Sequence, residues 1–149
     1  MRILWLLLRR TMNRWSETAR KVSRVRLAIT LLLMPWGTLS SSVPTPPSCA
    51  WFLHVSALAG LTVLVFLAFE TAKVRIWAVT LIFLYSALLE VLQHFNPARH
   101  GTIEDVLANA LGCVGGLVLW FAASRIWSVV SENRQAAITG RMKPEENVE

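Results

Sequence analysis

Residues 90–116 read EVLQHFNPARHGTIEDVLANALGCVGG and hold most of the polar chemistry of this chain between two apolar runs of membrane length. We interpret them as the end of one helix, a tight turn, and the start of the next helix. Glu90 and Gln93 then lie on one side of the first helix, and Asp105 and Asn109 on one side of the second. The sequence therefore predicts that polar groups of two helices face each other across the turn.

The chain has 149 residues, of which 54% are hydrophobic, and its mean hydropathy is +0.49. This composition is too apolar for an ordinary soluble domain. Residues 51–69 contain no charged side chain, and residues 76–89, which residues 90–95 extend, contain none either. A membrane-crossing helix needs about 20 apolar residues. Residues 27–43 and 103–127 form two more candidate spans. The predicted fold is an all-α membrane bundle of four transmembrane helices.

The net charge of +6 raises the question of nucleic acid binding, but the location of the charge argues against it. Eight basic residues precede the first span, none lies in 37–50, and Arg99 alone lies between the third and fourth spans. The positive-inside rule then predicts that both termini are cytoplasmic and that the turn at 90–105 faces outward. We predict membrane lipids rather than nucleic acid as partners.

Three segments are predicted along the chain. Residues 1–26 form a basic arm, interpreted as an amphipathic helix on an anionic inner leaflet. A solvated leader that only sets topology and a secretory signal peptide are the alternatives, although no good cleavage site follows. Residues 27–127 form the transmembrane domain. Residues 128–149 are expected to be a polar, partly disordered cytoplasmic tail.

Two titratable residues lie inside the predicted spans at the depth of the turn. His54 is within a turn of the outer end of the second span, and Glu90 is in the outer third of the third. A carboxylate at that depth is costly, so Glu90 should face the bundle and have a partner. The functional reading is a polar pocket. The structural alternative is an interfacial His54 and a Glu90–Arg99 ion pair that only ties the hairpin.

The start of the last span carries a helix-capping signal and a stripe of small residues. Thr102 followed by Asp105 three residues later predicts a capping box, which is a sufficient structural reason for the aspartate. Asn109 lies a full turn deeper, where capping no longer explains it. Gly112 and Gly116 form a small-xxx-small pair, which predicts close packing against another helix.

The same polar and glycine residues resemble the pattern of VanZ-like bacterial membrane proteins, in the same order and near the same spacing: Glu90, Gln93, Pro97, Arg99, Thr102, Asp105, Asn109, Gly112 and Gly116. His54 is similar to the family's histidine at the head of its second span. The resemblance covers residues 27–127 and leaves the basic arm outside. It implies a small multi-pass protein of the bacterial cytoplasmic membrane, and the founding member of the family is associated with teicoplanin resistance.

Three functions remain open. The first is non-catalytic and is favoured: an outward-facing pocket binds a lipid headgroup, a lipid-linked envelope precursor or an amphiphilic antibiotic, in antibiotic resistance or envelope biogenesis. Its predicted ligand-binding residues are Glu90, Gln93, Arg99, Asp105 and Asn109. The second is an intramembrane enzyme with Glu90 and Asp105 as acid and base and His54 as a proton shuttle. The third is a proton-coupled carrier, which with four spans would need to form a homo-oligomer.

No metal or cofactor is predicted. A metal site made of His54, His94 and Glu90 lacks the close paired spacing of HExxH-type sites. No phosphate-binding loop, serine elbow or CxxC motif is present. Cys49 and Cys113 are interpreted as packing residues, because their predicted depths differ by about 15 Å, too far for a disulfide.

Overall fold

The computed structural model describes residues 2–40, 47–96 and 102–141, with side chains over 17–40, 49–96 and 102–134 except Ser128. Within these ranges the chain forms four α-helices and no strand: α1 (Arg2–Leu39), α2 (Pro47–Ala68), α3 (Ala72–His94) and α4 (Ile103–Arg141). The predicted all-α fold is confirmed.

Three of the helices are long and apolar enough to cross a membrane: Cys49–Ala68, Ala72–His94 and Ile103–Arg134. Within the described residues α1 does not meet the same criterion of length and composition. The predicted basic arm and first span are parts of this one helix, since α1 runs from Arg2 to Leu39 without a break. No helix-breaking residue separates the two parts, which explains their continuity.

Residues 128–141 of the predicted polar tail are helical. The helix continues to Arg141. Residues 131–141 lack an apolar face, but they contain alanine, glutamate, arginine and glutamine, which all favour helix, and the first proline comes only at Pro144.

Helices α2 and α4 form the tightest contact of the bundle, at two glycines. A Cβ atom added at Gly112 would lie 2.5 Å from the carbonyl oxygen of Val55, and one added at Gly116 would lie 2.6 Å from that of Ala59. Only glycine allows two helix backbones to approach so closely. The neighbouring Gly115 has open space around it. The two glycines therefore set how closely α4 lies against α2.

Helix α1 docks on α3 through its exposed carbonyl groups. Pro35 lies inside α1 and has no N–H to donate to the carbonyl of Leu31. The hydroxyl of Tyr85 donates to that carbonyl instead, at 3.2 Å. At the end of α1, Gln93 donates to the carbonyl of Thr38 at 2.8 Å, and Asn96 does the same for Leu39 at 2.9 Å. Side chains of α3 and of Asn96 just beyond it thus satisfy carbonyls that α1 cannot satisfy itself.

Arginine side chains close the opposite end of the bundle, called the basic end here, where α2 ends. Arg75 donates to the carbonyl of Phe69 at 2.7 Å and to that of Phe66 at 3.0 Å. Arg24 donates to the carbonyl of Ala68 at 3.0 Å. A positive group at a helix C-terminus is also favoured by the helix dipole. The basic residues near the chain reversal therefore cap α2, beyond any role in topology.

Candidate functional site at the cluster end

A polar cluster lies at the end of the bundle where α1 and α3 end and α2 and α4 begin, called the cluster end here. Its centre is His54 of α2. Nδ1 of His54 lies 3.2 Å from Oδ1 of Asn109 and 3.4 Å from Oε1 of Glu90. Nε2 of the same ring lies 3.8 Å from Oδ1 of Asp105. The imidazole is therefore placed between two carboxyl groups and an amide from two other helices.

The helix start of α4 orients Asp105. The hydroxyl of Thr102 donates to Oδ2 of Asp105 at 2.8 Å, and the backbone N–H of Asp105 donates back to that hydroxyl at 3.2 Å. This is a capping arrangement of the predicted pair. The other oxygen of Asp105 still faces His54, so one carboxylate belongs to both the cap and the cluster.

The inner members of the cluster are buried with polar atoms left unpaired. The exposed fraction is 4% for Glu90 and 0% for Asn109. Oε2 of Glu90 and Nδ2 of Asn109 have no hydrogen-bond partner among the described residues. Buried polar atoms usually have partners, because an unsatisfied one costs about 1–3 kcal/mol. The cluster therefore keeps unused capacity for a bound group.

The cluster is acidic in the described part of the chain. Its two carboxyl groups face one imidazole, and no described lysine or arginine forms an ion pair with either of them. Among the described residues, Arg20 forms an ion pair with Glu70 at 2.7 Å, and this pair lies at the basic end, away from the cluster. Arg99, the predicted partner of Glu90, lies outside the described residues.

An apolar groove between α1 and α2 leads to the cluster. It has a volume of about 410 Å³. Apolar walls come mainly from α1 and α2. Its polar lining residues are His54, Gln93 and Asp105, with Thr30 and Thr38 of α1. Its apolar and small lining residues are Leu33, Met34, Gly37, Ala50, Leu53, Ala57, Leu58 and Leu61. The groove thus has an apolar lining along its walls and hydrogen-bonding side chains where it meets the cluster.

A second cavity, of about 310 Å³, reaches Glu90 from the other side, between α3 and α4. His94 lines it, together with Phe95 and Thr102. His94 itself is exposed and stacks edge-on against Phe95, with ring centroids 6.0 Å apart. It does not belong to the polar cluster, so the metal set considered from the sequence, which used His94, is not the set that the fold assembles.

The predicted site residues are distributed over two positions in the described structure. Glu90, Asp105, Asn109 and His54 come together in the cluster. Gln93 lines the groove but uses its amide nitrogen to hold α1. Sequence reasoning missed the contribution of α1 to the groove, and Pro35 with its orphaned carbonyl was the signal that another helix had to pack there.

Comparison with known proteins assigns the family. The family model described as VanZ/LLP1 matches residues 1–127. This chain belongs to the VanZ/LLP1 family. The match to VanZ/LLP1 includes the basic arm, which the sequence pattern had placed outside the resemblance. Family membership and the three apolar helices identify a VanZ-like membrane protein. No curated protein and no solved structure gives a significant match.

Proposed function

We propose that this VanZ/LLP1 protein binds an amphiphile, with the polar headgroup at the cluster and the apolar part in the groove between α1 and α2. One observation carries the proposal. The groove of about 410 Å³ has an apolar lining along α1 and α2 and ends at His54, Gln93 and Asp105. A membrane lipid, a lipid-linked envelope precursor and an amphiphilic antibiotic all have this two-part chemistry.

The side chains at the head of the groove suit hydrogen bonding to a polar headgroup. The amide nitrogen of Gln93 donates to the carbonyl of Thr38, and its amide oxygen is left to accept a hydrogen bond from a ligand. His54 and Asp105 present a ring nitrogen and a carboxylate oxygen at the same place. We propose that Arg99, which lies between α3 and α4 in the sequence, adds a contact to an anionic part of the headgroup.

The groove is tested by filling it. We expect Ala57→Phe to lower the amount of co-purifying amphiphile per protein at least about tenfold, equivalent to about 1.4 kcal/mol of binding free energy. Ala57 lines the groove and is exposed to it, so the added ring occupies the space for the apolar chain. The measurement is lipid mass spectrometry of the 149-residue protein purified in mild detergent.

Ala123→Phe is the matched control, because Ala123 is exposed on α4 and lines none of the described cavities. It should carry the wild-type amount of amphiphile. Equal amounts in wild type, Ala57→Phe and Ala123→Phe would show that the groove is not the binding site. The mass of the lost species would distinguish a membrane lipid from a lipid-linked precursor. Binding of an amphiphilic antibiotic is tested by adding the purified antibiotic to the wild type and to both variants.

We also propose that the cluster end faces outward across the cytoplasmic membrane of a bacterium and that both termini are cytoplasmic. The basic residues support this: Arg20, Arg24 and Arg75 all lie at the basic end. Tryptophans near both ends support an upright orientation, since Trp36 and Trp77 are 70% and 59% exposed. The later part of α1 would then cross the membrane as a fourth span.

A membrane-impermeant maleimide tests this orientation. Cys49 is exposed at the start of α2 and Cys113 is buried, so labelling of the native chain should be confined to Cys49. Applied to cells stripped of their wall, the reagent should label Cys49 without permeabilisation. A Cys49→Ser, Glu132→Cys variant should react only after permeabilisation. The reverse pattern would place the cluster on the cytoplasmic side.

A further inference from the structure

We propose that the polar cluster is a binding site for a divalent metal ion, Zn²⁺ in the first instance, held by His54, Glu90 and Asp105. Each residue offers one ligand atom, and the three atoms lie within 4.8 Å of one another. They come from α2, α3 and α4, so no local sequence spacing could reveal them. One imidazole and two carboxylates form a donor set that Zn²⁺ accepts, with a fourth position left open.

The distances between the ligand atoms suit a small ion. Two ligands of a tetrahedral zinc ion lie about 3.3–3.5 Å apart, given metal–ligand bonds of about 2.0–2.2 Å. Nδ1 of His54 is already 3.4 Å from Oε1 of Glu90. All three ligand atoms lie within 4.8 Å of one another. Each pair of ligand atoms therefore has to close by about 1.4 Å or less to reach the spacing of a tetrahedral zinc ion.

A buried oxygen without a partner points independently to a ligand. Oε2 of Glu90 is buried and receives no hydrogen bond among the described residues, in a side chain that is 4% exposed. A carboxylate oxygen in that position is costly unless a proton or a cation neutralises it. A metal ion bound by this carboxylate would neutralise its charge.

Charge gives a further reason for a divalent cation. With both carboxyl groups ionised and the imidazole neutral, the cluster would carry two negative charges, and the described lysines and arginines form no ion pair with it. A divalent cation would neutralise this charge inside an apolar bundle. His54 would bind the metal through one ring nitrogen and keep the other for a hydrogen bond, as ligating histidines usually do.

The open fourth position of the ion would face the groove that ends at His54 and Asp105. A phosphate or carboxylate oxygen of a headgroup could occupy it, which would let an acidic cluster bind an anionic amphiphile. The metal proposal does not rest on that use. It stands on the geometry and the unpaired oxygen of Glu90, and its test does not involve an amphiphile.

Direct metal analysis tests the site. We use the 149-residue chain with Cys49→Ser, purified without a histidine tag, stripped of metal, exposed to Zn²⁺ and desalted. Elemental mass spectrometry should find about one zinc per chain. Loss of a ligand in Glu90→Gln or His54→Gln should weaken binding at least about tenfold, since even indirect partners of metal ligands cost 10–100-fold. His94→Gln, which alters an exposed histidine outside the cluster, should bind like the parent.

Substitution with Co²⁺ gives a second readout. A visible absorption band of tetrahedral cobalt should appear in the parent and in His94→Gln, and should be lost in Glu90→Gln at unchanged helical circular dichroism. Zinc bound equally by all variants, or by none, would refute the proposal. Zinc bound only after Arg99→Ala would also refute it, since it would show that arginine and not a metal neutralises the cluster in the native protein.

Discussion

Replacing Gly116 with alanine is expected to lower the free energy of unfolding by about 1–3 kcal/mol, the range for overpacking a tight contact. The added methyl group would lie 2.6 Å from the carbonyl oxygen of Ala59 and 2.6 Å from Cβ of Thr62. The oxygen belongs to the backbone of α2 and cannot turn away, so the two helices must separate. Denaturant titration in mixed micelles, followed by circular dichroism, measures the change.

Gly115→Ala is the matched control, one position along the same helix. A Cβ atom there meets nothing within 4 Å. Alanine also favours helix over glycine by about 1 kcal/mol, so this variant should be as stable as wild type or slightly more stable. If both variants lost stability equally, backbone flexibility and not the α2–α4 approach would be the role of these glycines. Gly112→Ala should behave like Gly116→Ala, because its Cβ would lie 2.5 Å from the oxygen of Val55.

The separation of α2 from α4 also bears on the site. His54 is on α2, whereas Asp105 and Asn109 are on α4, and the contact at Gly112 is less than one turn from Asn109. Moving the two helices apart lengthens the distances from His54 to both residues. Gly116→Ala is therefore expected to reduce amphiphile and zinc content together, whereas Gly115→Ala should change neither.

Arg75→Ala is expected to lower the free energy of unfolding by about 2–3 kcal/mol, since hydrogen bonds from a charged donor are worth about 1.5–3 kcal/mol. Arg75 donates to two carbonyls at the end of α2, at 2.7 and 3.0 Å. Its guanidinium also lies over the rings of Phe66, at 4.9 Å, and Trp120, at 5.6 Å. One side chain thus joins the end of α2 to α3 and α4.

Lys73→Ala separates this role from charge alone. Lys73 lies two residues away, is exposed, and carries the same charge. Its loss should change the stability by less than about 0.5 kcal/mol, as is usual for surface substitutions. Arg75→Lys should recover only part of the loss, because an ammonium group cannot bridge two carbonyls and stack on two rings as a guanidinium does. Equal effects of Arg75→Ala and Lys73→Ala in the same micelles would contradict the capping role.

Hydropathy alone indicated the membrane class and the α-helical fold, and residue spacing indicated the turn and its cap. The capping pair Thr102 and Asp105 could be predicted because both partners are three residues apart on one helix. The close helix contact at Gly112 and Gly116 was signalled for the same reason, since a four-residue spacing puts two small residues on one face. The helical continuation of α4 to Arg141 could not be predicted from an apolar face, because residues 131–141 have none.

The placement of His54 could not be predicted from spacing. It lies 36 residues before Glu90 and 55 before Asn109, and only the packing of α2 against α3 and α4 brings its ring between them. The groove could not be predicted from spacing either. It forms because α1 packs beside α2, where side chains of α3 donate hydrogen bonds to carbonyls of α1. Such contacts depend on the angle and distance between helices, which no single helix encodes.

The amino-acid sequence by itself determined the family, the apolar helices and the residue types available for the site, because these follow from composition and from patterns of three to four residues. Tertiary structure alone decided that His54, Glu90, Asp105 and Asn109 meet, and that an apolar groove ends at them. The physical reason is that glycine contacts and orphaned carbonyls set how the helices pack. Helix packing, and not local sequence, then determines which polar side chains come into contact in the cluster.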